Sequence, residues 1–250
     1  MTNTAIQTHE LTRKYGSFTA LDHLTLTVAQ GEIFGFLGHN GAGKTTTINL
    51  LTTLLLPTSG SAQVCGFDIV KDNLAVRQQI GYVPENVRLY NDLTVAENLH
   101  FFASLSGVSQ ISTRIVQVLA MLGCDGWESR RVGGFSKGMR QRIGIAQALL
   151  HQPAVLFLDE PSSGLDPEGT RDIGNLIKQL NHEHGITIFM NTHQLAEVTK
   201  LCTSIGIMSH GRLVIADKLA SVMARFPTDQ SLEDIYLRFE HGQAETVVLS

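Results

Sequence analysis

Cysteine is scarce in this 250-residue chain: Cys65, Cys124 and Cys202 stand far apart and never in a C-x-x-C spacing. That argues against a zinc site or a disulfide framework and suits a reducing compartment. The three read as small core residues. A cationic excess is missing as well, with a formal net charge of -4 and a pI near 6.2. A surface that tracks phosphate backbones normally shows as a basic surplus, so a general nucleic-acid partner is not expected. No segment reaches the roughly 18 uninterrupted apolar residues of a membrane span. Residues 1–10 have neither the basic nor the apolar region of a secretory signal. Repeats and low-complexity tracts are also lacking. The expectation is a soluble cytoplasmic protein; if it serves a membrane process, another polypeptide supplies the membrane part. What is present is apolar content, 43% of the chain, enough to bury a full core as one large domain or a domain with a lobe.

The most informative stretch is Gly38-His39-Asn40-Gly41-Ala42-Gly43-Lys44-Thr45, followed by Thr46. It matches G-x-x-x-x-G-K-[ST], a loop that wraps polyphosphate. Glycines let successive N–H groups turn inward without steric cost, and a helix N-terminus behind them favours anions. Lys44 would set its ammonium between the β and γ phosphates, and Thr45 would offer its hydroxyl to magnesium. The flanks agree. Ile33-Phe34-Gly35-Phe36-Leu37 is an apolar run of the buried-strand kind. Ile48, Leu51 and Leu55 recur at helical spacing until Pro57-Thr58-Ser59-Gly60 stops the helix.

Elsewhere, Leu24–Val28 alternates with period two, and a turn at Gly16-Ser17 suggests a small antiparallel sheet. Tyr15, before that turn, either lies on an adenine face or is an ordinary strand aromatic. Ile80–Val83 runs into a loop at Pro84-Glu85, after which the pattern turns helical to about Leu150. Thr94-Val95-Ala96-Glu97 reads as a capping box, and Ile111, Ile115, Val118 and Leu122 mark a second amphipathic helix. A helical lobe is therefore expected inside an α/β core. The core returns with Ala154–Leu158, an apolar strand ending in Asp159-Glu160, and Asp166-Pro167 then opens a helix. A strand at Ile186–Met190 leads to Asn191-Thr192-His193, and a hairpin about His210-Gly211 precedes a helical tail. Alternating strands and helices imply a mostly parallel sheet.

Four sites in this order, the phosphate loop, Phe135-Ser136-Lys137-Gly138-Met139-Arg140-Gln141, Leu158-Asp159-Glu160-Pro161 and His193, make the chain resemble the nucleotide-binding subunit of an ATP-binding cassette (ABC) transporter. The resemblance spans about residues 5–225. It implies a RecA-like P-loop NTPase core with an antiparallel β subdomain and an inserted helical subdomain. The expected division is residues 1–86 and 151–227 for the core and antiparallel sheet, 87–150 for the helical subdomain and 228–250 for a C-terminal helical tail.

The resemblance also implies roles. Tyr15 takes the place of an adenine-stacking aromatic, and residues 38–46 cradle the phosphates of ATP. Asp159, with Thr45 and Glu85, would hold Mg2+; Glu160 would act as general base; His193 would bond the γ-phosphate. Ser163-Gly164-Leu165-Asp166 resembles the D-loop. Ser136 and Gly138 would cap a γ-phosphate held by an opposite protomer, so the expected unit is a head-to-tail pair of nucleotide-binding subunits, alike or related, sandwiching two ATP. Their partner would be an integral membrane permease, which would hold the chain at the inner face of the membrane.

Two departures stand out. The common family signature is Leu-Ser-Gly-Gly-Gln, whereas Lys137 and Met139 here replace its first glycine and its glutamine. This form resembles the branch that exports drugs, antibiotics, lipids or sodium. Glu85 stands where the family usually has glutamine. The rival readings are a cassette ATPase of a soluble assembly for translation or DNA repair, and a nucleotide-dependent regulator without turnover. Glu160 and His193 speak against the second.

Overall fold

A computed structural model describes residues 4–227, 229 and 231–240. Its architecture follows from two kinds of strand. The half-buried ones, β1 (Thr4–Tyr15) and β2 (Phe18–Ala29), alternate buried and exposed positions, and join β4 (Ser59–Val64) and the short β5 (Phe67–Asp68) in an antiparallel sheet of order β2-β1-β4-β5. The fully buried ones are β3 (Ile33–Leu37), β7 (Val155–Asp159), β8 (Thr187–Asn191) and β9 (Ser204–Ser209). With β6 (Ile80–Val83) and β10 (Arg212–Lys218) they make a six-stranded sheet of order β10-β9-β3-β8-β7-β6. Only β10 runs antiparallel there, paired with β9 across the His210-Gly211 turn.

Strands without a polar face are apolar on both sides because both sides are covered. Val155, Phe157, Phe34, Phe36 and Phe189 face a core shared with the antiparallel sheet and α1 (Lys44–Leu51). Phe34, Phe36 and Phe157 all ring Phe189, with centroids 5.2 to 5.5 Å away. Leu156, Leu158, Ile188 and Met190 face the opposite core. That core is shared with α6 (Pro167–His184) and with the helices of the lobe, α3 (Val95–Leu105), α4 (Ile111–Met121) and α5 (Lys137–Leu149).

The expected helix starts are present. Thr94 and Glu97 form the reciprocal capping box, and Asp166 caps α6 with Pro167 as its first residue. α2 (Asn73–Gln79) lies between β5 and β6, and α7 (Leu195–Leu201) follows β8. Beyond β10 come α8 (Leu219–Arg225) and α9 (Leu232–Glu240), the latter burying Leu232, Ile235 and Phe239. The rest of the expected tail, 241–250, lies outside the described residues.

Two expectations need correction. The helix after the phosphate loop stops at Leu51, well before Pro57, because the Thr52 and Thr53 amides close a tight end and Thr53 turns left-handed at φ 62°. Leu55 packs on the core from a turn instead. Cys65 is only half-buried, in the turn between β4 and β5 at φ 51°, whereas Cys124 and Cys202 are core residues as expected.

Candidate functional site

In an open parallel sheet the carboxyl ends of the strands face a ligand crevice. Here β3, β7 and β8 end there together. β3 gives way at Gly38 to the loop that enters α1 at Lys44. Glycine is required twice by close approach: a Cβ at Gly38 would sit 2.7 Å from the Met208 carbonyl oxygen, and one at Gly43, where φ is 101°, would sit 2.6 Å from that of Ala20. The loop is also tied from behind. The Gly211 amide donates to the Ala42 carbonyl (3.1 Å), and the Asp22 amide donates to the Gly211 carbonyl (2.8 Å). Lys44, only 5% exposed, folds its ammonium back onto the loop, donating to the carbonyls of Gly38 (2.6 Å) and His39 (3.0 Å).

On the facing side β7 and β8 pair in register, Asp159 opposite Asn191. The Asn191 amide donates to Asp159 Oδ1 at 2.5 Å. Burial, with the negative Glu160 and Glu85 nearby, pushes the Asp159 carboxyl above its ordinary value, against the Asn191 hydrogen bond and the field of Lys44. Glu160 then leaves the strand in the left-handed region, φ 48°. Its amide donates to the Asn191 carbonyl (2.9 Å). Its Oε1 lies 2.9 Å from Nδ1 of His193, while its Oε2 is buried without a hydrogen-bond partner. Glu85, in the loop after β6, accepts a hydrogen bond from the Ser163 hydroxyl at 2.9 Å.

These elements enclose a cavity of about 310 Å³. Tyr15, Asn40, Gly41, Gly43, Lys44, Thr45, Thr46, Glu85, Asp159 and Glu160 line it. Gly38, His39 and Ala42 belong to the same loop, and His193 reaches the site through Glu160. Ser136 and Gly138 lie elsewhere. Ser136 caps α5 through the Met139 amide, and both line a separate cavity of about 590 Å³ with Lys137, Gly164 and Asp166. One chain therefore does not bring the signature segment to its own phosphate loop.

Three lining residues escaped the sequence: Phe18, Ala20 and Asn191. Phe18 pairs with Tyr15 at the hairpin turn and is 63% exposed. An exposed aromatic in a hairpin was its only signal. Tyr15 has one ring face covered by the Arg13 guanidinium, 4.6 Å from its centroid.

For a divalent ion, the donor set of Thr45 hydroxyl and the Glu85 and Asp159 carboxylates is all oxygen, as magnesium prefers. Among the described residues no three His, Cys, Asp or Glu side chains form a cage of their own. That suits an ion that completes its shell with phosphate oxygens and water. The residues fit the metal.

Known proteins resemble this chain in sequence and in fold. The ABC transporter family model matches residues 21–163. The bacitracin transport ATP-binding protein BcrA of Bacillus licheniformis is 44% identical over 212 residues, covering 85% of this chain and 69% of the relative. A solved ATP-binding subunit of an ABC transporter superimposes with a TM-score of 0.82 at 30% identity, covering 94% of this chain and 99% of that one. The dimeric structure of a bacterial ABC transporter cassette superimposes with a TM-score of 0.76 at 26% identity, covering 86% and 98%.

Proposed function

The chain belongs to the ABC transporter family, and from that membership we propose how its cavity works and what it drives. It is an ATP-binding, ATP-hydrolysing subunit of a transport system. In the proposed reaction the loop amides and the N-terminus of α1 cradle the phosphates, Lys44 turns its ammonium from the loop carbonyls to the β and γ oxygens, and the free face of Tyr15 takes the base. Thr45, Asp159 and Glu85 would hold magnesium, which when bound neutralises charge on the β and γ oxygens.

Glu160 takes a proton from the water that attacks the γ-phosphorus. The supporting geometry is the state of its two oxygens: Oε1 is engaged by His193, and Oε2 is buried with no partner, an unsatisfied acceptor on a residue that lines the cavity and one that a water admitted with ATP would satisfy. That partnerless carboxylate oxygen on a residue lining the cavity of the phosphate loop is the observation that carries the hydrolytic reading. His193 holds the base on one side and bonds the γ-phosphate on the other.

Ser136 and Gly138 complete the site of a second subunit, through the exposed N-terminus of α5. The distance of that segment from its own phosphate loop, and the dimeric cassette among the similar structures, support a head-to-tail pair. A permease partner is supported by a depression of about 740 Å³ between the lobe and the core. Leu74 and Leu105, 70% and 72% exposed, line it beside Arg77, Gln78 and Arg114, a mixed apolar and cationic surface on which we place the partner. No helix among the described residues is long and apolar enough to cross a membrane, so the membrane path belongs to that partner. The similarity to a bacitracin transport protein supports a drug or antibiotic as cargo, and the form of the signature segment supports outward movement, with this chain at the inner face of the membrane. Isolation of the native complex tests this: a multi-span membrane protein should copurify, with cargo uptake into inside-out vesicles dependent on ATP. A wholly soluble set of partners overturns the permease reading.

A further inference from the structure

Tyr15 ends β1 and Phe18 begins β2, and the two-residue turn Gly16-Ser17, with Gly16 at φ 58°, sets them directly opposite each other. Side chains opposite each other in an antiparallel pair leave the sheet on the same face, with Cβ atoms about 5 Å apart, and two aromatic rings so placed commonly pack together. These two do not. Among the described residues no ring contact joins Tyr15 to Phe18, and neither a ring nor a guanidinium lies on Phe18. Phe18 also belongs to neither apolar core and is 63% exposed.

A single exposed apolar side chain is ordinary. The place of this one is not, since it lines the cavity of the phosphate loop together with Tyr15 and Ala20. Arg13 fixes Tyr15 from behind. Its guanidinium lies 4.6 Å from the ring centroid and donates to the Leu56 carbonyl at 2.8 Å, and Arg13 is not among the residues that line the cavity. The covered face of Tyr15 therefore points away from the cavity, and the bare face looks into the space that Phe18 also borders. The span fits as well. Phe18 and Ala20 stand two residues apart in β2, about 7 Å along the strand. The Ala20 carbonyl lies against the phosphate loop, where a Cβ at Gly43 would meet it at 2.6 Å. The strand thus carries Phe18 away from the phosphate seat by about the reach of a ribose.

We propose that Phe18 is the second aromatic wall of the base site: the base of the nucleotide enters the gap between the Tyr15 and Phe18 rings and is held by both. This deepens the proposed function and rests on the cavity being the nucleotide site. A base between two rings leaves water on both faces and stacks on either side. Neither Phe18 nor Ala20 carries a side-chain donor or acceptor, so they grip the face of the base and do not read its edge.

The test is equilibrium titration of the full chain with a non-hydrolysable ATP analogue, the matching GTP analogue and inorganic tripolyphosphate, which offers phosphates without a base. Phe18→Ala should weaken both nucleotides by about 5- to 100-fold, the worth of a base stacked on an aromatic ring, and leave tripolyphosphate affinity within about 2-fold of wild type. Phe18→Trp keeps an aromatic face and should keep nucleotide affinity. Its added emission, read against a chain whose one tryptophan is Trp127, should be quenched by the nucleotides and not by tripolyphosphate.

Wild-type nucleotide affinity in Phe18→Ala, a loss that extends equally to tripolyphosphate, or added emission that does not respond to nucleotide overturns the proposal. Should Phe18→Ala fail to fold, Phe18→Leu, which keeps apolar bulk without the ring, decides by the same criteria. Tyr15→Ala and Lys44→Ala separate the two readings. Weakened nucleotide binding in these beside full affinity in Phe18→Ala sinks the second wall alone, whereas unchanged affinity in all three means that the cavity is not the nucleotide site.

Discussion

Ser163 and Glu85, 78 positions apart in the chain, are joined by a hydrogen bond of 2.9 Å from the serine hydroxyl to the carboxylate. The bond ties the loop that leads into the helical lobe to the loop that follows Glu160. It also sets a negative charge near Asp159, which responds to Glu85 electrostatically. Glutamine at this position could still accept from Ser163 through its amide oxygen but would bring no charge.

Glu85→Gln should therefore let ATP close the dimer at lower magnesium concentration, with turnover at saturating magnesium largely kept. The reason is that a carboxylate near the γ-phosphate opposes closure until a cation offsets it. Light scattering of ATP-induced dimers against magnesium concentration reads this out, and superimposable curves for the two proteins eliminate the ligand role.

Glu160→Gln should bind ATP yet turn over about 10²- to 10⁴-fold more slowly, the usual worth of a positioned base. The amide can still meet His193, so the site stays assembled and an ATP-bound dimer accumulates. Phosphate release at the wild-type rate would refute the assignment.

Lys44→Ala removes an ammonium that touches the loop carbonyls of Gly38 and His39. A charge-assisted bond contributes about 1.5–3 kcal/mol, so the dissociation constant for ATP should rise by about 10- to 100-fold. Calorimetric or fluorescence titration checks it.

Ser136→Arg should leave ATP binding by the monomer intact, because Ser136 lines a different cavity from the phosphate loop, and should abolish dimerisation. Mixed with Lys44→Ala chains, it should regain part of the activity through one complete composite site. No recovery at any mixing ratio argues against shared sites.

Gly35→Ala tests packing alone. A Cβ there would lie 2.7 Å from Cys202 Sγ and 3.1 Å from a Val198 methyl. Overpacking costs about 1–3 kcal/mol, which for a chain of this size lowers Tm by about 2–12 °C. An unchanged melting curve would mean that α7 moves aside freely.

Much of this was legible because single residues carry local instructions. The capping box at Thr94, the Asp166-Pro167 helix start and the unbroken apolar runs of β3 and β7 each specify a structure within a few residues. The phosphate loop was readable for the same reason. What stayed hidden depends on register or on distant segments. Asn191 meets Asp159 only because β7 and β8 pair in one particular register. Gln194 meets Ser162 only because the start of α7 packs on the turn after Glu160. Phe18 enters the cavity because a hairpin turn sets it beside Tyr15. The early end of α1 escaped notice because Leu54, Leu55 and Leu56 continue an apolar pattern after the backbone has left the helix.

Among the described residues, helices α3, α4 and α5 share one apolar cluster with the main sheet. Leu99, Val118 and Leu119 belong to the same apolar cluster as Leu156, Leu158 and Ile188 of the main sheet. Any movement of a lobe joined this way exchanges apolar contacts with the sheet. Closure on ATP should then register as heat capacity, at about 0.45 cal/K/mol for each Å² of apolar surface that changes exposure. The enthalpy of nucleotide binding should slope with temperature in the wild-type chain and be flatter in Ser136→Arg, where phosphates are held but the lobe has nothing to close upon.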